Sequence, residues 1–228
     1  MWNDDSELFR IARTELFSAV IGDVMDKLGL RRQFLPQPIQ PLRREMIVVG
    51  RAMPVLEANF FEDVCEGSRN AISARSFGLM LEALDDLKTD EVYVCTGAAP
   101  RFALWGELMT RRAMHCGAAG AVLDGFSRDT RGVLASGFPV FSRGSYAQDQ
   151  AVRGKVVDFR VPIEMEGARV EPGDILFGDM DGVCVVPRAA EREVLARALE
   201  KARAEKTVGK ALDEGMTACE AFAKFGIL

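Results

Sequence analysis

The chain has 228 residues, 48% of them hydrophobic, with a formal net charge of −5. That length suits one domain of ordinary core size, residues 1–228, with 189–228 as a C-terminal helical extension. Both signs of charge are spread along the chain without a basic face, which argues against nucleic acid as a partner. No run approaches ~18 apolar residues, so no membrane span is expected.

In chain order, Glu7–Phe17 reads as a helix. Ser18 is placed as the N-cap of a second, Ala19–Leu28, stopped by Gly29 and burying Val20, Val24 and Leu28 along one face. Three prolines make Gln33–Pro41 an extended linker. Met46–Val49 is a short strand ending at Gly50, and Ala52–Leu56 continues the sheet after that break. Ser68–Leu87 has the longest helical pattern, with Ile72, Phe77, Met80, Leu81, Leu84 and Leu87 as its apolar stripe. Val92–Cys95 is a strand and Thr96–Arg101 a loop. Glu107–Cys116 is a helix and Ala121–Leu123 a strand, which together form a crossover unit with its loop at one end of the sheet.

The second half is richer in strands. Val140 and Phe141 form a short one, Val156–Val161 another. Pro172 to Asp174 is a turn, Ile175–Phe177 a strand, and Asp181-Gly182 a hairpin signal before Val183–Val186. Ala189–Val208 and Lys210–Lys224 read as helices separated at Gly209. The pattern predicts a mixed α/β fold with a β-rich centre and helices outside.

Chemistry concentrates in the 24 residues from Gly106 to Asp129. Trp105-Gly106-Glu107-Leu108-Met109 reads as a tight turn opening a helix, whose free N–H groups suit an anion. A buried strand then delivers Asp124-Gly125 and, three residues on, Arg128 beside Asp129. Each has a plainer reading: Arg128 and Asp129 as a surface ion pair, Asp124 as a turn-former, Glu107 as a helix-start acid. The one histidine, His115, lies in a helix body without a partner, so Ser-His-Asp chemistry and His-based metal sites are not supported. Any metal must then take mainly oxygen ligands, which points to Mg²⁺ or Mn²⁺ rather than Zn²⁺. No GxGxxG or P-loop lysine motif occurs, so no nucleotide cofactor is expected. Cys65, Cys95, Cys116, Cys184 and Cys219 form no CxxC pair and read as reduced, mostly core thiols of a cytoplasmic protein. The acidic opening MWNDDSELFR is not expected to be a signal peptide.

The stretch WGELMTRRAMHCGAAGAVLDGFSRD resembles the signature of the RraA-like, or class II 4-hydroxy-4-methyl-2-oxoglutarate aldolase, family. SAVIGDVMDKLG, GRAMPV, PGDILFGDMDGVCVVP and EAFAKFGIL resemble its N-terminal helix, first core strand, C-terminal hairpin and C-terminal end, in the right order. The resemblance implies an α/β/β/α-type sandwich with a central β-rich body and C-terminal helices, assembled as a homotrimer or hexamer with sites between subunits.

The implied activity is divalent-metal-dependent C–C cleavage of a 2-oxo acid to release pyruvate. 4-Hydroxy-4-methyl-2-oxoglutarate or 4-carboxy-4-hydroxy-2-oxoadipate would be the substrate, and oxaloacetate decarboxylation a side activity. By the same resemblance, the amides of Gly106, Glu107, Leu108 and Met109 hold the pyruvyl carboxylate and Arg128 contacts the substrate oxygens. Asp129 binds Mg²⁺ or Mn²⁺, Glu107 stands near the metal waters, and Glu205 comes from an adjacent subunit. The alternative is a non-catalytic regulatory protein that binds an RNA-degrading enzyme. Two departures stand out. The turn reads Glu-Leu-Met where the family has Asp-Leu-Leu, and Thr130-Arg131-Gly132 lacks the acid that aldolase members often carry there. The C-terminal helices are expected to reach across to a neighbour with Val194, Leu195, Leu199 and Phe222.

Overall fold

The computed structural model describes residues 2–62 and 67–227; Cys65 lies outside them. The elements in order are α1 (Asp5–Glu15), α2 (Ser18–Lys27), β1 (Gln40–Pro41), β2 (Val48–Asn59), α3 (Met80–Asp85), β3 (Glu91–Thr96), β4 (Ala103–Trp105), α4 (Glu107–His115), β5 (Gly120–Leu123), β6 (Phe126–Ser127) and α5 (Thr130–Ser136). They continue with β7 (Val140–Ser142), β8 (Gly154–Phe159), β9 (Ile163–Met165), β10 (Ala168–Val170), β11 (Ile175–Asp179), β12 (Gly182–Val186), α6 (Glu191–Asp213) and α7 (Ala218–Phe225). Among the described residues no helix is long and apolar enough to cross a membrane.

The main sheet runs β1-β7-β5-β3-β2-β11-β12, with β8 added alongside β2. β2, β3, β5 and β7 are parallel, which crossover connections through α4 and α5 permit, while β11 and β12 form the expected antiparallel hairpin. The proline-containing segment 33–41 brings the two ends of this sheet together. At one end Leu35 N donates to Val183 O and Val185 N to Gln33 O; at the other, Gln40 and Pro41 pair with Ser142 and Phe141. The sheet is therefore nearly closed, and the segment that reads as a linker is its seam.

Strand alternation sorts the apolar residues into three cores. Along β3, Val92 and Val94 point into the closed interior with Val48, Val122, Phe141 and Leu176, under the β9–β10 hairpin. Tyr93 and Cys95 point outward and pack beneath α3 and α4. The third core lies between β2, β11 and β12 and helices α1, α2 and α6. Helices outside, sheet between: this is the α/β/β/α-type arrangement expected.

Several boundaries are corrected. β2 does not end at Gly50 but runs through it; the residue is glycine because a Cβ there would lie 2.3 Å from Asp90 O of the backbone entering β3. Ser68–Leu87 is not one helix. It holds a short 3₁₀ turn, Ala71–Ala74, and then α3, separated by Phe77 (φ 61°) and Gly78 (φ 64°). β8 imposes the break: the Lys155 ammonium donates to Ser73 O (3.0 Å) and Arg75 O (2.7 Å), and Gly78 bridges Val156. α6 continues through Gly209, where nothing lies within 4 Å, so the helix bears only a propensity cost of ~1 kcal/mol.

α6 packs its apolar stripe on its own chain. Val194, Leu195, Ala198, Leu199 and Ala202 bury against α2 and the hairpin, each large side chain contributing about 1.5–3 kcal/mol, while Phe222 stays 60% exposed. Ser18 does not cap α2 with its side chain. Its amide and hydroxyl instead donate to the buried Asp179 carboxylate (2.8 and 2.7 Å), so the β11 acid caps the helix from across the core. Of the described cysteines, Cys95 and Cys184 are core, Cys116 is half-buried and Cys219 exposed.

Candidate active site

Trp105 is the anchor. It is 1% exposed, stacked on Phe138 at 6.1 Å and tilted against Tyr93 at 5.1 Å. Its indole N–H donates to Thr110 Oγ1 (2.7 Å), and that hydroxyl donates to Gly106 O (3.1 Å). The turn into α4 is thus fixed from inside the core. β4 lies parallel to β6, and Arg128 N donates to Trp105 O (2.9 Å). This places the residue pair after β6 beside the residue pair after β4.

Gly106 is the N-cap of α4 and supplies no side-chain cap. The Glu107 amide approaches Asp129 Oδ2 at 3.4 Å. A Cβ on Gly106 would sit 2.9 Å from that same oxygen, so glycine leaves the carboxylate its place. Asp129 is itself left-handed (φ 54°, ψ 33°) as the N-cap of α5. Non-glycine residues held there store strain, and such strain gathers at functional sites. Arg128 is held by two acids: Nη1 is 3.0 Å from Asp149 Oδ1 and Nε 3.8 Å from Asp129 Oδ2. Asp149 belongs to the loop before β8 and was not singled out in the sequence, where nothing local marks it.

These groups face one cavity of about 440 Å³. Gly106, Leu108, Met109, Arg128 and Asp129 line it, joined by Asp149, Gln150 and the Phe77–Leu84 wall. Glu107 turns the other way. It pairs with Arg111 (2.5 and 3.0 Å) and lies over α5, where a Cβ on Gly132 would come within 2.0 Å of its Oε2. The two departures from the family pattern therefore fit each other: the longer acid at 107 occupies the space that Gly132 leaves. Glu205 lies elsewhere in the chain, paired with Lys201 at 3.0 Å. Asp124 is no loop cap; it binds Arg143 Nε and the Thr96 hydroxyl, both at 2.7 Å. His115 is exposed in the last turn of α4.

Residues 18–185 match the RraA-like family, described as Aldolase/RraA. The chain belongs to the RraA-like family. A Halalkalibacterium halodurans protein named "Putative 4-hydroxy-4-methyl-2-oxoglutarate aldolase" is 31% identical over 204 residues, covering 89% of this chain and 87% of that one. An uncharacterized protein from Pseudomonas syringae pv. tomato superposes with a TM-score of 0.83 at 25% identity, over 98% of this chain and 96% of its own. A Streptomyces coelicolor protein described as an unusual member of the RNase ES inhibitor RraA family superposes at 0.73 with 23% identity, over 91% and 98%. The RraA-like fold thus carries relatives named for aldolase chemistry and others named as inhibitors.

Proposed function

We propose that this RraA-like protein is a divalent-metal-dependent lyase that breaks a C–C bond of a 2-oxo acid and releases pyruvate. The observation that carries this reading is the meeting of the α4 N-terminus, Arg128 and Asp129 on one cavity. The donor set fits a hard cation. Among the described residues no three His, Cys, Asp or Glu side chains gather, so Asp129 offers a single carboxylate, kept clear by Gly106. Mg²⁺ or Mn²⁺ accepts one carboxylate with waters and substrate oxygens, and when bound it supplies Lewis-acid polarisation of the keto group.

The first-turn amides at Glu107, Leu108 and Met109 would bind the pyruvyl carboxylate, helped by the helix dipole. Arg128 would set a planar cation beside the keto oxygen, where negative charge develops. A donor so placed is worth on the order of 3 kcal/mol. In aldol cleavage the C4 hydroxyl gives up its proton and the C3–C4 bond breaks. Its electron pair passes into the pyruvate enolate, which then takes a proton at C3. The carboxylate to relay the first proton is Glu107, once it leaves Arg111 and turns toward the cavity, or Glu205 reaching in from a neighbouring copy. Oxaloacetate loses CO₂ through the same enolate and needs no such base, so its decarboxylation is the side activity. No lysine lines the cavity among the described residues, in keeping with chemistry that needs no Schiff base.

The proposed assembly is a homotrimer or hexamer, in which a neighbour covers the open side of the site. Exposed Leu108 and Met114 on α4 support such a cover. Light scattering at the 25.0 kDa of one chain, with activity intact, would refute it. The activity is tested by pyruvate release from oxaloacetate and from 4-hydroxy-4-methyl-2-oxoglutarate. Release should require Mg²⁺, stop with chelator and return on adding metal. Folded protein inert toward both would favour the regulatory-binding reading instead.

A further inference from the structure

Gln150 stands apart from the rest of the cavity lining. The other strong side-chain donors there are engaged: the Trp105 indole with Thr110 (2.7 Å), Arg112 with Asp85 (2.7 Å) and Arg128 with Asp149 (3.0 Å). Gln150 is 3% exposed, lines the same cavity, and its Nε2 has no hydrogen-bond partner among the described residues. Buried amides are almost always satisfied, so a donor left open on a cavity wall calls for an acceptor inside the cavity.

The residue is held by its own chain. Gln150 O accepts from Arg153 N (2.6 Å) and Gly154 N (3.0 Å), and Arg153 Nη1 donates to Asp149 O (3.0 Å). A neighbouring copy can add groups on the open side of the site without displacing a side chain that is already enclosed.

Its place in the site indicates which acceptor it meets. The contacts run in series: the Glu107 amide to Asp129 Oδ2 (3.4 Å), Asp129 Oδ2 to Arg128 Nε (3.8 Å) and Arg128 Nη1 to Asp149 Oδ1 (3.0 Å), with Gln150 next in the chain. In the lyase reading the substrate follows the same order, its C1 carboxylate on the α4 amides and its C2 keto oxygen at Arg128. The next carbon that bears oxygen is C4, across the bond that breaks.

We infer that Gln150 is a substrate-binding residue whose Nε2–H donates to an oxygen carried on C4, and that it thereby orients the C3–C4 bond for cleavage. This rests on the lyase reading and deepens it. 4-Hydroxy-4-methyl-2-oxoglutarate offers a hydroxyl and a carboxylate at C4, and in oxaloacetate C4 is the carboxylate that leaves as CO₂. Pyruvate has no C4 and does not reach Gln150.

The test is titration calorimetry of the full chain with Mg²⁺ present, using pyruvate, 2-oxohexanoate and 4-methoxy-2-oxobutyrate. The last two have the same length and differ at one position, where an ether oxygen on C4 replaces a methylene. Neither has a hydroxyl proton to lose, so neither undergoes aldol cleavage. Gln150→Met keeps the side-chain length and removes the donor. It should weaken 4-methoxy-2-oxobutyrate about tenfold relative to 2-oxohexanoate and leave pyruvate within about twofold of wild type. An unchanged ratio between the two longer acids in the folded variant overturns the inference, and so does an equal loss for all three ligands. Wild-type protein that binds pyruvate but not 4-methoxy-2-oxobutyrate overturns it as well. Should the variant not fold, a crystal of wild type with Mg²⁺ and 4-methoxy-2-oxobutyrate reads the same contact. Nε2 of Gln150 within about 3.2 Å of the ether oxygen supports the inference, and a longer separation overturns it. Failure of pyruvate itself to bind wild type overturns the 2-oxo acid reading beneath it.

Discussion

Nη1 of Arg128 lies 3.0 Å from Oδ1 of Asp149, a residue 21 positions later in the loop before β8. The pair ties the β6 turn to the loop entering β8 and fixes one edge of the guanidinium plane. Arg128→Lys keeps the charge but loses the planar fork, and should lower kcat/KM on the order of 10²-fold. Asp149→Asn should lower it about tenfold by loosening Arg128, with pyruvate affinity weakened and the melting temperature little changed, because the pair is part-exposed. Steady-state kinetics beside pyruvate titrations check both. Near wild-type constants in Arg128→Lys would reduce that residue to a surface ion pair.

Asp129 separates strain from function. Asp129→Asn keeps the shape, removes the charge and should abolish metal-dependent turnover, by 10²-fold or more on the scale of Lewis-acid contributions. Asp129→Gly should be as inactive yet more stable, by up to about 1 kcal/mol, because glycine adopts φ 54° without the Cβ penalty. Thermal melts of the two variants beside wild type decide it. A destabilised glycine variant would mean that the Asp129 side chain stabilises the turn by more than its left-handed backbone costs.

What the sequence made legible was local. The turn at Gly106, the strand into Arg128 and Asp129, and the β11–β12 hairpin are each written within a few residues. Asp149 and Gln150 were not, because only the packing of β8 on β2 brings their loop to the site. Two of the glycines, Gly50 and Gly78, share one cause. Gly50 reads as a stop, yet it is small because another backbone passes beside it. Gly78 lies inside a helical stripe, yet it sits where β8 crosses. Glycine in a pattern signals either punctuation or close approach, and a single chain does not say which. The tie from Lys155 to the carbonyls of Ser73 and Arg75 decides the second case and leaves no periodic trace.

Gly132→Ala tests Glu107 without touching it. Alanine is the better helix former by about 1 kcal/mol, so the melting temperature should hold or rise. The new methyl would take the space of the Glu107 carboxylate, a flexible group that can swing aside. If that acid relays the proton of aldol cleavage, aldolase kcat should fall about tenfold while oxaloacetate decarboxylation, which needs no base, stays level. Equal losses in both reactions would remove Glu107 from proton transfer.

The last prediction concerns Glu57, buried on β2 at 2% exposure. Its Oε1 has no hydrogen-bond partner among the described residues, and Cys95 Sγ stands 3.6 Å from Oε2. Burial pushes its carboxyl from the ordinary 4.5 up to about 8, against a small downward pull from the thiol. The folded protein therefore keeps a proton that the unfolded chain releases above pH 4.5. The contribution to stability is fully present below pH 4.5, declines by roughly 1.4 kcal/mol per pH unit as pH rises toward 8, and then levels. Glu57→Gln substitutes a neutral side chain of the same size. Its melting temperature should exceed that of wild type at pH 8, and the difference should shrink progressively toward pH 5. Calorimetric melts at unit steps across that range measure the gap. A gap that stays constant with pH would show that Glu57 does not titrate between the two states, and that its carboxyl is charged and solvated in the fold.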